Sequence, residues 1–131
     1  MKAWLLALVA CGAAPPTPAP PKSVQVNATG AVVDVDAALV PGFVTVVDFW
    51  SESCGACVVV GGMLAAQVAN EPKVVIRKVD VGDGDTPVGH AYQINALPHY
   101  RIYDKQRRLR YDLVGNDCVK APDYALVLAR E

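Results

Sequence analysis

The feature that most constrains the fold is an apolar run, Phe43 to Trp50, that leads into a closely spaced pair of cysteines. Only Thr45 and Asp48 interrupt the run, and a run of this kind bounded by turn-forming residues predicts a strand buried on both faces. The next segment, Cys54 to Ala69, has the length of a helix. The sequence Cys54-Gly55-Ala56-Cys57 therefore stands where a buried strand passes into the first turn of a helix.

This position of the cysteine pair suits thiol chemistry. At the N-terminus of a helix, free backbone N–H groups and the positive end of the helix dipole stabilise a thiolate. Two intervening residues bring both sulfurs to one helical turn, close enough to form a disulfide. We expect Cys54 to be the attacking thiolate and Cys57 to resolve the mixed disulfide.

A Cys-X-X-Cys pair also has other uses in proteins. Zinc sites share the spacing, but the sequence has no second pair, and His90 and His99 lack the spacing of paired ligands. Attachment of c-type haem needs a histidine directly after the second cysteine, where this chain has Val58. No metal and no cofactor are therefore predicted. A structural disulfide without a catalytic role is the remaining alternative.

The rest of the chain alternates strand-like and helix-like segments, and its 131 residues suit one domain. Gly61-Gly62 inside the first long helix costs helix stability and predicts a bend. From apolar patterning and turn residues, we predict strands at Val24–Val26, Val32–Val35, Lys73–Asp80, His99–Tyr103 and Leu109–Val114, and helices at Val88–Gln93 and Pro122–Arg130.

The motifs of this chain, taken in order, resemble those of the thioredoxin family. Val46-Val47-Asp48-Phe49-Trp50 and Ser51-Glu52-Ser53, which precede the cysteine pair, are similar to the family's active-site strand and loop. Further matches along the chain are Lys78-Val79-Asp80, Ala96-Leu97-Pro98 and Gly115.

The resemblance covers residues 44 to 130 and implies a fold and an activity. The implied fold is α/β, a thioredoxin fold with a central mixed β-sheet flanked by helices, over residues 23–131. The implied activity is that of a thiol–disulfide oxidoreductase of the protein-disulfide reductase type. Its partners are then client proteins with disulfides or thiols, and an electron donor or acceptor that the sequence does not identify.

The resemblance also implies roles for individual residues. Asp48 is similar to the family's buried carboxylate, which exchanges a proton with the inner cysteine, and burial in an apolar strand should raise its pKa. Pairing with Lys78 is a compatible structural role. Pro98 resembles the family's cis-proline and Leu97 the residue whose backbone binds an extended substrate. Trp50 and Gly115 complete the implied substrate-binding set, with Trp50 more typical of packing beside the site.

The chain departs from the usual family pattern at several positions around the site. They are Ser53 in place of Trp, Ala56 in place of Pro, the apolar patch Val58-Val59-Val60 where a Lys is common, Gly62 in place of Pro, and His99 in place of Thr. These changes leave the type of reaction intact. They affect the redox potential and the choice of partner reductase, because the residues between the cysteines tune the stability of the thiolate.

The first residues predict export and a lipid anchor. Lys2 followed by the apolar run Ala3 to Ala10 is typical of a signal peptide and is too short to span a bilayer. Leu8-Val9-Ala10-Cys11 resembles a bacterial lipobox, which predicts a signal peptide at 1–10 and lipidation of Cys11. The alternative is an ordinary signal peptide cut near Ala13 or Ala14, which would give a secreted protein.

A spacer is predicted between the anchor and the domain. Residues 11–22 contain five prolines, a density that favours an extended, semi-rigid segment: Pro15, Pro16, Pro18, Pro20 and Pro21. The expected location is the cell envelope, on the periplasmic face of a membrane, with the lipid anchor as the contact to that membrane.

The balance of charge excludes nucleic acid as a partner, and a few further residues have interpretations of their own. With 12 basic and 13 acidic side chains, the chain lacks the positive field that nucleic acid requires. Cys118 is predicted to be a buried structural thiol, with an intermolecular disulfide as the alternative. Arg107, Arg108 and Arg110 are interpreted as a solvated edge. A binding or metal-delivery module with a non-catalytic cysteine pair remains the alternative function.

Overall fold

A computed structural model describes residues 11–13 and 15–131 of the protein. The predicted signal peptide, residues 1–10, and one of the alternative cleavage positions, Ala14, lie outside the described residues. Among the described residues, no helix combines the length and apolar character that crossing a membrane requires. Cys11 is exposed, and so are the first three prolines of the predicted spacer.

The centre of the molecule is a five-stranded mixed sheet, as predicted. Its strands are β1 (Ser23–Gln25), β2 (Val44–Trp50), β3 (Val74–Asp80), β4 (His99–Tyr103) and β5 (Leu109–Val114). Their order in the sheet is β1-β3-β2-β4-β5. The pairs β1–β3 and β2–β3 are parallel, whereas β2–β4 and β4–β5 are antiparallel. The apolar strand β2 is therefore central, and every residue from Val44 to Phe49 is buried.

Helices cover both faces of the sheet. They are α1 (Val35–Ala38), α2 (Gly55–Val68), α3 (Pro87–Ala91) and α4 (Ala121–Ala129), and a 3₁₀ helix (Gly115–Lys120) leads into α4. On one face, Leu64 and Val68 of α2 and Leu128 of α4 pack on Val46 and Ile102 of the sheet. Residues of alternate parity along the strands point to the other face, where α1 and α3 pack.

One predicted strand is wrong, because Val32–Val35 pairs with no strand among the residues that the structure describes. Instead, Val35 begins α1, and the Asp34 side chain caps that helix by accepting a hydrogen bond from the amide of Ala37 at 3.3 Å. An Asp at the N-cap satisfies an amide that the first helical turn leaves unpaired. This local hydrogen bond overrides the β propensity of the valines.

The predicted bend at Gly61-Gly62 does not interrupt the helix, since α2 runs without a break from Gly55 to Val68. The three arginines of the predicted solvated edge are exposed, and two of them also bind a buried carboxylate. Arg108 and Arg110 both bind the buried carboxylate of Asp104, at 2.9 and 3.2 Å. Arg110 lies on β5, which forms an edge of the sheet, as predicted, and Arg108 lies in the turn before it.

Candidate active site

The cysteine pair forms a disulfide at the start of α2. Cys54 is the N-cap residue of the helix, and its sulfur accepts a hydrogen bond from the amide of Cys57 at 3.1 Å. The two Cα atoms are 5.2 Å apart. Cys54 is half-buried, whereas Cys57 is 3% exposed. The outer sulfur can therefore be approached from solvent, while the inner sulfur is covered.

A tight loop delivers Cys54 to this position. The amide of Cys54 donates to the carbonyl of Ser51 at 3.1 Å, and the hydroxyls of Ser51 and Ser53 lie 3.0 Å apart. Ser51 is buried, and Ser53, which stands where the family usually has Trp, is exposed. The supporting role of Ser51 is visible only in the fold, because nothing in the sequence distinguishes it from other loop serines.

Asp48 lies in the middle of β2 and is 2% exposed. Burial raises the pKa of Asp48 to about 7, and the positive charge of Lys78 opposes the rise. Asp48 and Lys78 are register partners on β2 and β3, yet within the described residues they form no ion pair. The ammonium of Lys78 lies instead over the ring of Trp50, 4.1 Å from its centroid. The expected pairing therefore acts through space and not by direct contact.

The segment before β4 carries the predicted cis-proline. The Leu97–Pro98 peptide bond is cis, and Pro98 is buried. Since Phe49 pairs with His99 across β2 and β4, Pro98 adjoins the end of β2, where the loop to Cys54 begins. The fold thus brings Trp50 and Pro98 to the same end of the sheet.

Gly115 and Cys118 both donate hydrogen bonds to the carbonyl of Pro98. The amide of Gly115 donates to it at 2.8 Å, and the thiol of Cys118 at 3.4 Å. Gly115 has a φ of 62°, in the left-handed region that favours glycine. Cys118 is fully buried, and burial raises its pKa to about 12. The burial of Cys118 agrees with the prediction that it is a structural thiol. An intermolecular disulfide at Cys118 would require the 3₁₀ helix to open.

The ring of each of the two histidines contacts an aspartate carboxylate. His90 contacts Asp85 at 2.6 Å, and buried His99 contacts Asp112 and packs edge-on against Phe49. Across residues 11–13 and 15–131, no group of three or more His, Cys, Asp or Glu side chains is arranged to hold a metal ion.

The sequence did not reveal one polar group beside the site, the hydroxyl of Tyr100. Tyr100 is fully buried and pairs with Asp48 across β2 and β4. Burial, together with the charge of Asp48, raises the pKa of Tyr100 above its usual range. A tyrosine in a predicted strand two residues after the cis-proline is a pattern that could have indicated it.

Comparison with known proteins agrees with the fold and the site. The family model described as Thioredoxin matches residues 33–120, and the chain therefore belongs to the thioredoxin family. A thioredoxin of Mycoplasma pneumoniae is 35% identical over 60 residues, which cover 46% of this chain and 58% of that protein. The chain thus matches little more than half the length of that relative.

Two solved structures show the same fold at low sequence identity. The reduced thioredoxin pre-protein of Schistosoma mansoni has a TM-score of 0.62 at 21% identity, covering 82% of this chain and 99% of that one. The oxidised thioredoxin of Plasmodium falciparum has a TM-score of 0.59 at 22% identity, covering 82% and 97%. The predicted thioredoxin fold is therefore confirmed. Family membership together with the Cys54–Cys57 pair supports thiol–disulfide oxidoreductase activity.

Proposed function

We propose that this protein exchanges disulfides with client proteins outside the cytoplasm. The observation that carries the proposal is the unequal exposure of the two sulfurs at the start of α2. Cys54 is half-buried at the helix N-terminus, whereas Cys57 is 3% exposed. Such a pair suits a reaction in two steps, with an outer nucleophile and an inner resolving thiol.

In the reductive direction, the Cys54 thiolate attacks one sulfur of a client disulfide. A bond forms between Cys54 and the client, and the other client sulfur leaves as a thiolate that takes up a proton. Cys57 then loses its proton and attacks the Cys54 sulfur, which releases the second client thiol. The client gains two electrons, and Cys54–Cys57 becomes a disulfide that an external dithiol donor must reduce. The same steps in reverse oxidise a client.

Asp48 is the proposed proton acceptor for Cys57. Its carboxyl lies on β2, on the face that α2 covers, and its pKa of about 7 lets it both bind and release a proton near neutral pH. A carboxyl with an ordinary pKa would be ionised there but would be a weaker base, and it would accept the proton of Cys57 less readily.

The proposed client site is the surface beside Pro98, at the end of the sheet where β2 leads to the cysteine pair. Leu97 borders an open cleft of about 930 Å³, whose other lining residues include Ile94, Ala96 and Gln93. An extended client segment can bind the backbone of Leu97 there. Trp50 lies at the same end of the sheet as Pro98, and Gly115 acts on this surface through Pro98, because its amide donates to the Pro98 carbonyl.

The proposed location is the periplasmic face of a membrane, with Cys11 lipidated. The exposure of Cys11 and the proline-rich spacer that follows support this arrangement. Stable attachment needs more than one acyl chain, which lipidation at an N-terminal cysteine supplies.

Mixed-disulfide trapping tests the proposed roles of the cysteines. Cys57→Ser should accumulate client proteins bound to Cys54, because attack proceeds and resolution cannot. Cys54→Ser should trap few or none. Both variants are compared in a Cys11→Ser background, which removes the anchor as a variable, and Cys118→Ala controls for the third thiol. Equal trapping by the two variants would contradict the assigned roles of the two cysteines, and trapping by neither would favour a non-catalytic pair.

A further inference from the structure

Two buried oxygen atoms beneath α2 have no hydrogen-bond partner within the described part of the protein. They are Oδ1 of Asp48 and the hydroxyl of Tyr100, on side chains that are 2% and 0% exposed. Buried polar atoms in folded proteins nearly always have a partner, either protein or ordered water. The coincidence of two such atoms in one place calls for a shared explanation.

The two side chains are neighbours on the same face of the sheet. Asp48 and Tyr100 are directly opposite each other in the antiparallel β2–β4 pair. Side chains in such a pair point to the same side, with Cβ atoms about 5 Å apart. Tyr100 packs in the cluster under α2 and α4, so its hydroxyl and the Asp48 carboxyl share one environment.

Gly61 of α2 faces both groups. A Cβ atom at Gly61 would lie 3.6 Å from Oδ2 of Asp48 and 3.9 Å from the Tyr100 hydroxyl. The Tyr100 hydroxyl and the Asp48 carboxyl, the latter through its Oδ2 atom, therefore both border the position beside Gly61. A water molecule needs at least two polar partners to occupy a buried position, and these two groups provide them.

We propose that Tyr100 is a positioning residue for Asp48, and that its hydroxyl acts on the carboxyl through one water molecule lodged against Gly61. The water accepts the Tyr100 O–H and donates to Asp48. This inference rests on the proposed role of Asp48 as the proton acceptor for Cys57.

The water bridge has a definite electrostatic consequence. A hydrogen bond donated to the charged form of a carboxyl favours that form and lowers its pKa. Burial acts in the opposite direction on Asp48. The bridge therefore lowers the pKa of Asp48 relative to burial alone, and without it the carboxyl would hold its proton to higher pH.

The chain offers a matched control for a substitution at Tyr100 and for one at Gly61. Tyr103 is also on β4 but packs against the opposite face of the sheet, so Tyr103→Phe removes a hydroxyl away from Asp48. Gly62 is adjacent to Gly61 in α2, and a Cβ there would meet nothing within 4 Å. Gly61→Ala and Gly62→Ala therefore bring the same gain in helix propensity, and only Gly61→Ala fills the space beside Asp48.

The measurement is a carbon-13 NMR titration of the aspartate carboxyl carbons in the oxidised protein, with the Asp48 resonance assigned from Asp48→Asn. Tyr100→Phe and Gly61→Ala should each raise the pKa of Asp48 by about 1, the size expected when a charged group loses one hydrogen bond. Tyr103→Phe and Gly62→Ala should leave it as in wild type. A wild-type pKa in either Tyr100→Phe or Gly61→Ala overturns the proposal.

A kinetic measurement separates this proposal from the proposed function. The pH midpoint of disulfide exchange should rise with the pKa of Asp48 in Tyr100→Phe and not in Tyr103→Phe. If Asp48→Asn exchanges at the wild-type rate, Asp48 is not the proton acceptor and the proposed relay fails. The titration still decides in that case whether Tyr100 acts on Asp48.

Discussion

A carboxyl group buried in an apolar strand, as Asp48 is, makes the stability of the protein depend on pH. Its pKa is about 7 in the folded protein, against an ordinary value of 3.8, and burial is the main cause. Between those two values the unfolded chain has lost a proton that the folded chain retains. Stability therefore falls as the pH rises through this window, and the penalty is constant above it.

Replacement of Asp48 should expose this penalty. Over the whole window the penalty amounts to about 4 kcal/mol in the free energy of unfolding, at most. Asp48→Asn cannot ionise, so it should gain stability over wild type from about pH 4 to about pH 7, with no further gain above. Denaturant unfolding of the oxidised proteins measures the difference. Asp123→Asn, at an exposed position in α4, serves as the control. If the free energy of unfolding of Asp48→Asn varies with pH in parallel with that of wild type, burial does not raise the pKa of Asp48.

Residues whose role depends on contacts between distant segments could not be assigned from sequence. The cysteine pair, Asp48 and Pro98 were predicted, because short motifs mark them. The position of Lys78 over Trp50 depends on side-chain packing across two strands. The pairing of Tyr100 with Asp48 depends on the register between β2 and β4, which are far apart in the chain.

Among the elements, the hairpin between β4 and β5 is held by a single buried carboxylate. Asp104 accepts hydrogen bonds from the amides of Gln106 and Arg108, at 2.9 and 3.0 Å, and from the guanidinium groups of Arg108 and Arg110. Burial alone would raise the pKa of Asp104, but these hydrogen bonds hold it below the usual value. The hairpin is therefore most stable when Asp104 is ionised.

Asp104→Asn should destabilise the protein at neutral pH. It replaces charge-assisted hydrogen bonds with weaker ones, at a cost of about 2 kcal/mol in the free energy of unfolding. The stabilisation from ionised Asp104 is present above its ordinary pKa and is lost as the pH falls through the lowered one. The difference from wild type should therefore disappear in acid. Thermal unfolding against pH tests this, with the exposed Glu52→Gln as control, and a difference that persists in acid would contradict it.

Arg107 in the same hairpin has a φ of 63°, which is unfavourable for a residue with a side chain. Arg107→Gly should relieve this strain and stabilise the protein by about 0.5–1 kcal/mol, after the greater chain entropy of glycine is subtracted. Gln106→Gly has no such strain to relieve and should not stabilise. Equal effects of the two substitutions on thermal unfolding would show that the backbone of Arg107 is not strained.

Among the elements, the secondary structure of long apolar runs was predicted correctly, and that of a short run was not. The run from Phe43 became β2 at Val44–Trp50, because burial on both faces leaves little choice. The Val32–Val35 segment failed, because the choice between strand and helix there depended on one capping carboxylate, Asp34. The helix from Cys54 was predicted to within one residue at its C-terminus.

For the whole molecule, the sheet sets how the proposed anchor and the active site are oriented. The spacer enters β1, which is parallel to β2 through β3, so it joins the sheet near the starting ends of these strands. The disulfide follows the carboxyl end of β2. Lipidation of Cys11 would therefore leave the cysteine pair on the side of the domain away from the attachment point.

Cys11→Ser tests the anchor. The variant should move from the membrane fraction to the soluble fraction, because it lacks the thiol to which the proposed lipid would be attached. Cys118→Ser, which changes a buried thiol, should remain with the membranes. A Cys11→Ser protein that sediments with membranes as wild type does would exclude the lipid anchor.

The central claim is that Cys54 and Cys57 carry out turnover, and the reduction of insulin by dithiothreitol tests it most directly. We expect wild-type protein to accelerate the reduction, Cys54→Ser to abolish the acceleration, and Cys118→Ala to preserve it. Wild-type protein that leaves the uncatalysed rate unchanged, or Cys54→Ser that accelerates as wild type does, would contradict the account.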